Sequence, residues 1–150
     1  MKKEGAQKLA VLAPKIMNAF HDLGRQHPDS EKLSMRQFQA LIILNASESL
    51  TISQLCEKLS LAPSTGTELV NRMITLGFLQ KNQEKGDYRQ VYISLNEKGE
   101  ALLKHRQEQL SNMFSNFLAP FKPGDQEKFI QSFENIWVLM EKYHWKRKSM

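Results

Sequence analysis

Apolar residues recur along most of this chain at helical spacing. Leu9, Leu12, Ile16, Phe20 and Leu23 form one stripe and predict an amphipathic helix over about residues 5–24. His27-Pro28-Asp29-Ser30 then breaks the pattern. Ser34 with Gln37 reads as a capping box, so a second helix is expected to start there and to bury Met35, Phe38, Leu41, Ile42 and Leu44. Thr51 with Gln54 repeats the device. The short third helix turns Ile52, Leu55, Cys56 and Leu59 inward. Leu61-Ala62 ends it, and Pro63 opens a fourth helix at its first turn, where a missing N–H costs nothing.

On the fourth helix Leu69, Val70, Met73 and Leu76 make the apolar face, while Ser64, Thr67, Glu68 and Asn71 point the other way. Thr65 falls nearer the apolar side. Gly77 suits a left-handed C-terminal cap, with Phe78 packing back on the last turn. Phe78-Leu79-Gln80-Lys81 and the alternating Val91-Tyr92-Ile93-Ser94-Leu95 read as short strands joined by a polar hairpin over residues 82–90 that carries Gly86. Helical periodicity resumes after Asn96 through Leu103, Leu110, Met113, Phe114 and Phe117. It pauses at Pro120-Phe121-Lys122-Pro123-Gly124 and continues through Phe129, Ile130, Phe133, Ile136, Trp137, Met140 and Tyr143.

A length of 150 residues allows one domain. The 21 Lys and Arg against 16 Asp and Glu give a net charge of +5, which favours an anionic partner such as nucleic acid without identifying one. Cys56 is the single cysteine, so no intrachain disulfide forms. Residues 1–20 lack the apolar core of a signal peptide, and no run is long enough to span a membrane. The chain is therefore expected to be soluble, unprocessed and cytoplasmic. It offers no zinc motif, no Gly-rich phosphate loop and no Gly-x-Ser-x-Gly nucleophile setting, so neither an enzyme nor a need for a cofactor or metal is expected.

The order of elements changes what the charge means. Two short helices, a tight turn, a polar-faced helix and a basic hairpin make a helix-turn-helix with a wing. Such a fourth helix fits the major groove of double-stranded DNA, where the Ser, Thr and Asn side chains reach base edges and phosphates. The hairpin adds Lys81, Lys85 and Arg89 for the backbone or an adjacent minor groove. Taken alone, Ser64, Thr65 and Thr67 also suit plain early-helix residues that cap amides, and Lys146-Arg147-Lys148 suits a solvated tail.

Leu61-Ala62-Pro63-Ser64-Thr65-Gly66-Thr67-Glu68-Leu69-Val70-Asn71-Arg72-Met73, then Gly77-Phe78-Leu79, then Asp87-Tyr88-Arg89, then Val91-x-Ile93-x-Leu95-Asn96-x-x-Gly99, resembles the MarR family of winged helix-turn-helix transcriptional regulators. The resemblance extends over nearly the whole chain. It implies a mainly α fold with a small β-wing, in which the N- and C-terminal helices form a homodimer interface. The lobe would occupy about residues 34–96 of a single 1–150 domain, with dimerisation helices at about 5–24 and 97–145. It further implies that Ser64, Thr65, Thr67, Glu68 and Arg72 lie on or beside the DNA-facing side, that Arg89 is the minor-groove residue of the wing, and that Asp87 holds the wing tip. Asn71 and Lys81 join this set on their own placement. The function implied is a repressor that binds a pseudo-palindromic promoter site as a dimer and is relieved by a small organic effector. In the family the effector pocket lies between the dimer region and the lobe, here near His21, the second helix and the start of the fifth.

Two positions depart from the family. Glu68 stands where a basic residue is common; a carboxylate there repels phosphate but accepts from a cytosine amino group. Gly66 replaces a larger apolar residue, at a cost of ~1 kcal/mol in helix propensity relative to Ala, and either loosens that end or allows a close backbone approach.

Other candidates read as structure first. Cys56 lies on an inner face, where a thiol behaves as a small hydrophobe. Some MarR-like proteins sense peroxide through a cysteine in the first helix, but this first helix has none. His21, His27, His105 and His144 are scattered and include no i, i+4 pair. The aromatics of the last two helices suit a core and dimer seam, and secondarily the lining of a ligand cavity. The alternative in a different class is a winged helix that docks on another protein without specific DNA binding.

Overall fold

The computed structural model describes residues 3–25, 33–83 and 90–148. In chain order these form α1 (Lys3–Arg25), α2 (Met35–Ser47), β1 (Leu50–Thr51), α3 (Ile52–Leu59), α4 (Pro63–Thr75), β2 (Leu79–Gln83), β3 (Val91–Leu95), α5 (Glu97–Leu118) and α6 (Pro123–Lys148). The chain divides into two compact units, Met1–Leu110 and Ser111–Met150.

In the first unit, local chemistry starts the helices as the sequence predicts. The Ser34 hydroxyl accepts from the Gln37 amide at 3.1 Å while Gln37 Oε1 accepts from the Ser34 amide at 3.0 Å. Thr51 and Gln54 make the same reciprocal pair at 3.1 and 3.0 Å. Each box satisfies two amides that a helix start leaves without partners. The end of α4 is equally defined: the Phe78 amide donates to Met73 O and the Gly77 amide to Ile74 O, with Gly77 at φ 87°. This is a complete Schellman cap, and it requires a residue that tolerates positive φ.

The core gathers Ala40, Leu41 and Leu44 of α2, Leu55 and Leu59 of α3, Val70 and Met73 of α4, and Leu79, Ile93 and Leu95 of the sheet. Burying a side chain of this kind contributes roughly 1.5–3 kcal/mol. The antiparallel sheet has the order β1-β3-β2, with Leu50 opposite Ile93 and Leu79 opposite Leu95. Residues 50–51 were not expected as a strand. Their pairing adds an edge to β3 and ties the start of α3 to the wing.

Some faces differ from expectation. Met35 is 71% exposed and Ile42 41% exposed, whereas Gln37 and Ala40 are buried. The inner face of α2 is thus rotated toward Gln37, Ala40, Leu41 and Leu44. Leu76 is exposed at the α4 cap while Ile74 packs against the core, because the chain is already leaving the helix there. Thr65, which helical spacing places nearer the apolar side, is exposed. The stop after α3 is made by Ser60, which adopts the left-handed conformation at φ 56° and donates its amide to Cys56 O and Glu57 O.

In the second unit, aromatic rings organise the helical turn. Phe117 lies 5.1 Å from Phe121 and 5.6 Å from Phe129, measured between ring centroids. Phe129 also lies 5.2 Å from Phe133. Gln126 Nε2 donates to Leu118 O at 2.8 Å, which also accepts the Phe121 amide, and to Phe121 O at 3.3 Å, tying the start of α6 to the end of α5.

Candidate nucleic-acid interface

The outward face of α4 begins with Pro63 at N1 and has Ala62 as its N-cap, which supplies no capping side chain. Pro63 has no N–H and the Gly66 amide donates to Ala62 O, so the Ser64 and Thr65 amides are left without a side-chain cap, an arrangement suited to phosphate oxygen. Ser64, Thr65, Thr67, Glu68, Asn71 and Arg72 are all exposed, and all lie on this one helix. The Thr67 hydroxyl donates to Pro63 O at 2.9 Å and Thr75 to Asn71 O at 3.0 Å, so both keep acceptor lone pairs free. Lys81 is exposed on β2. Asp87, Arg89 and Lys85 lie outside the described residues.

What makes this face a firm platform is the packing behind it. Gly66 is buried against α3: a Cβ there would overlap Cys56 Sγ and lie 3.5 Å from Cys56 Cβ. The glycine that breaks the family pattern is therefore explained by close approach of the two helices, and it brings the first turns of α4 down onto α3. Arg36 adds a tie from α2, with Nη1 2.9 Å from Leu59 O at the end of α3.

A second junction was not foreseen. Asn96 donates Nδ2 to Gly77 O at 2.7 Å and accepts the Gly99 amide on Oδ1 at 2.8 Å, while its own amide donates to Phe78 O at 3.2 Å. One side chain thus caps α5 and grips the turn that ends α4. Gly99 is required there, since a Cβ would collide with Phe78 O.

Beside this junction is a cavity of about 630 Å³ lined by Leu33, Gln37, Arg72, Leu76, Phe78, Lys98, Ala101, Leu102 and His105. Its wall is drawn from the second helix, the end of α4 and the start of the fifth helix, and His21 is not part of it. Gln37 is only 7% exposed. Its oxygen serves the capping box, and its Nε2 has no protein partner among the described residues. Lys98 Nζ lies 3.1 Å from Leu76 O and 5.1 Å from the Phe78 ring centroid.

The MarR family profile matches residues 33–91, the segment that builds α2 through the start of β3. An organic hydroperoxide resistance transcriptional regulator of Bacillus subtilis (strain 168) is 30% identical over 118 residues, which is 79% of this chain and 77% of that protein. The chain belongs to the MarR family. The HTH-type transcriptional regulator YwhA of the same strain is 31% identical over 78 residues, 49% of this chain, and the chain spans 56% of its length. A MarR family protein from Bacillus stearothermophilus has the same fold with a TM-score of 0.78 at 27% identity, over 94% of this chain and 99% of that one. Helices α2 to α4 with β1 to β3 are thus the DNA-binding winged helix of a MarR family transcriptional regulator.

Proposed function

We propose that this MarR family protein is a homodimeric repressor that occupies a pseudo-palindromic promoter site through two copies of α4. The observation that carries the reading is the outward face of α4, where Ser64, Thr65, Thr67, Glu68, Asn71 and Arg72 are exposed on a helix seated on α3 and capped at both ends of its connection to α5. Lys81, Asp87 and Arg89 complete the contact set at the wing. Two lobes then meet successive major grooves about one helical turn apart, and the bound dimer blocks the promoter.

Apolar exposure supports the dimer. On α1, Leu9, Ile16 and Met17 are between 52% and 70% exposed, and that helix buries none of its residues. On α6 the consecutive residues Ile136, Trp137, Val138, Leu139 and Met140 are between 47% and 61% exposed. Five successive apolar residues face every side of a helix, so a second chain has to cover them. The lobe of about 34–96 and the dimerisation helices of about 5–24 and 97–145 keep separate tasks in this reading.

The cavity beside Asn96 is the place for an effector. Its apolar wall, the free amide of buried Gln37 and the cations Arg72 and Lys98 suit a small organic anion with an apolar body. Such a ligand relieves repression only through a higher affinity for a lobe arrangement unlike the DNA-bound one. Peroxide sensing is not carried over from the hydroperoxide-resistance relative, because α1 has no cysteine and Cys56 is buried.

Footprinting on the DNA flanking the protein's own coding sequence tests this. Two protected half-sites about one turn apart, weakened by ~1–3 kcal/mol in Arg89→Ala, are expected. Protection without preferred sites, or a dimer that binds no DNA, would transfer the α4 face to a protein partner.

A further inference from the structure

Glu68 occupies an unusual position on α4. With about 100° between successive helical residues, it stands within roughly 20° of the direction opposite the buried seam of Gly66, Val70 and Met73. Only Ser64 and Thr75 project comparably outward. Glu68 and Arg72 are the only charged residues of the helix, so the part of the face that enters a groove most directly carries a negative charge in a chain of net charge +5. The i, i+4 spacing would allow Glu68 to pair with Arg72. No such ion pair forms, and the carboxylate has no hydrogen-bond partner among the described residues.

An unpaired carboxylate brought against phosphates is repelled, and loses hydration as it enters the groove, unless a donor meets it there. Base edges offer few. Guanine presents two acceptors in the major groove, and thymine an acceptor with a methyl group. Adenine offers its amino group beside the N7 acceptor, which repels a carboxylate. Cytosine alone presents an amino donor with no acceptor on its own major-groove edge.

We infer that Glu68 is a specificity-determining residue that requires a cytosine in each half-site, accepting a hydrogen bond from its exocyclic amino group. The inference rests on the proposed reading that α4 enters the major groove. Repulsion from phosphate gives the same residue a second effect, since it weakens binding to every sequence that lacks the cytosine. Discrimination then comes from rejection of wrong sites as well as from attraction to the right one.

Selection from a random-sequence duplex library with the intact protein, Glu68→Ala and Glu68→Gln tests the inference. The intact protein should return a consensus with a cytosine in each half-site, and replacing that base should weaken binding roughly tenfold to a hundredfold. Glu68→Ala should lose preference at that position alone and bind random DNA more tightly. Glu68→Gln should move the preference there toward adenine, whose amino group and N7 a carboxamide satisfies together. If all three proteins return one consensus, Glu68 reads no base and the inference is overturned while the regulator reading stands. If the intact protein returns no consensus, the reading of α4 as a sequence-specific helix fails, and the inference with it.

Discussion

Gly66 of α4 packs its bare backbone against the Sγ of Cys56 in α3. The contact joins the two helices of the helix-turn-helix at the point where α4 begins to turn its polar face outward. Gly66→Ala therefore trades a propensity gain of ~1 kcal/mol against overlap with a buried thiol. We expect a net loss of about 1–3 kcal/mol in urea unfolding. Cys56→Ala introduced with it should recover most of that loss, whereas additive losses would contradict the contact. Burial also predicts that the native thiol reacts with an aromatic disulfide reagent only as fast as the protein opens.

Much of this arrangement is legible in the sequence because its causes are local. Ser34 with Gln37, Thr51 with Gln54, and Gly77 before Phe78 each satisfy backbone groups within a few residues, and Pro63 removes an N–H that needs no partner at a helix start, so spacing alone reveals them. The parts that escaped depend on distant neighbours. Gly66 makes sense only once Cys56 is placed against it, and Asn96 only once Gly77 and Phe78 are brought to the start of α5. Met35 and Ile42 belonged to a plausible apolar stripe, but α2 turns Gln37 and Ala40 inward instead. Ser60 carried no signal, since a left-handed serine cap uses a conformation that non-glycine residues seldom adopt.

Asn96 links the turn after α4 to the start of α5 through one side chain, and its two polar atoms do different work. Asn96→Ala should lower stability by ~1–2 kcal/mol, the usual cost of a lost helix cap, with the Gly77 carbonyl losing its donor as well. Asn96→Asp keeps the acceptor for the Gly99 amide and should lose less. Equal losses in the two variants, measured by chemical denaturation, would show that capping is not what Asn96 contributes.

The exposed run on α6 makes the dimer testable without DNA. Leu139→Glu places a charge among Ile136, Trp137, Val138 and Met140, where a partner chain would have to bury it. The intact protein should sediment as a dimer and the variant as a monomer or a much weaker dimer. A monomeric intact protein would leave that apolar surface to a different partner.

Arg72 is exposed at the last turn of α4 and also lines the cavity. As a phosphate-binding cation it should carry affinity without sequence information. Arg72→Ala is expected to weaken binding to all operators alike and to reduce the salt slope by about 0.9 for each phosphate it no longer neutralises, without altering the selected consensus. A changed consensus would assign Arg72 to base reading instead.

The most direct measurement of sequence-specific recognition by α4 is a competition titration at one fixed salt concentration. The labelled site is DNA flanking the protein's own coding sequence, and the competitor is a scrambled duplex of equal length. A preference of about a thousandfold or more is expected for a specific regulator. Equal affinity for the two duplexes across several flanking segments would contradict it.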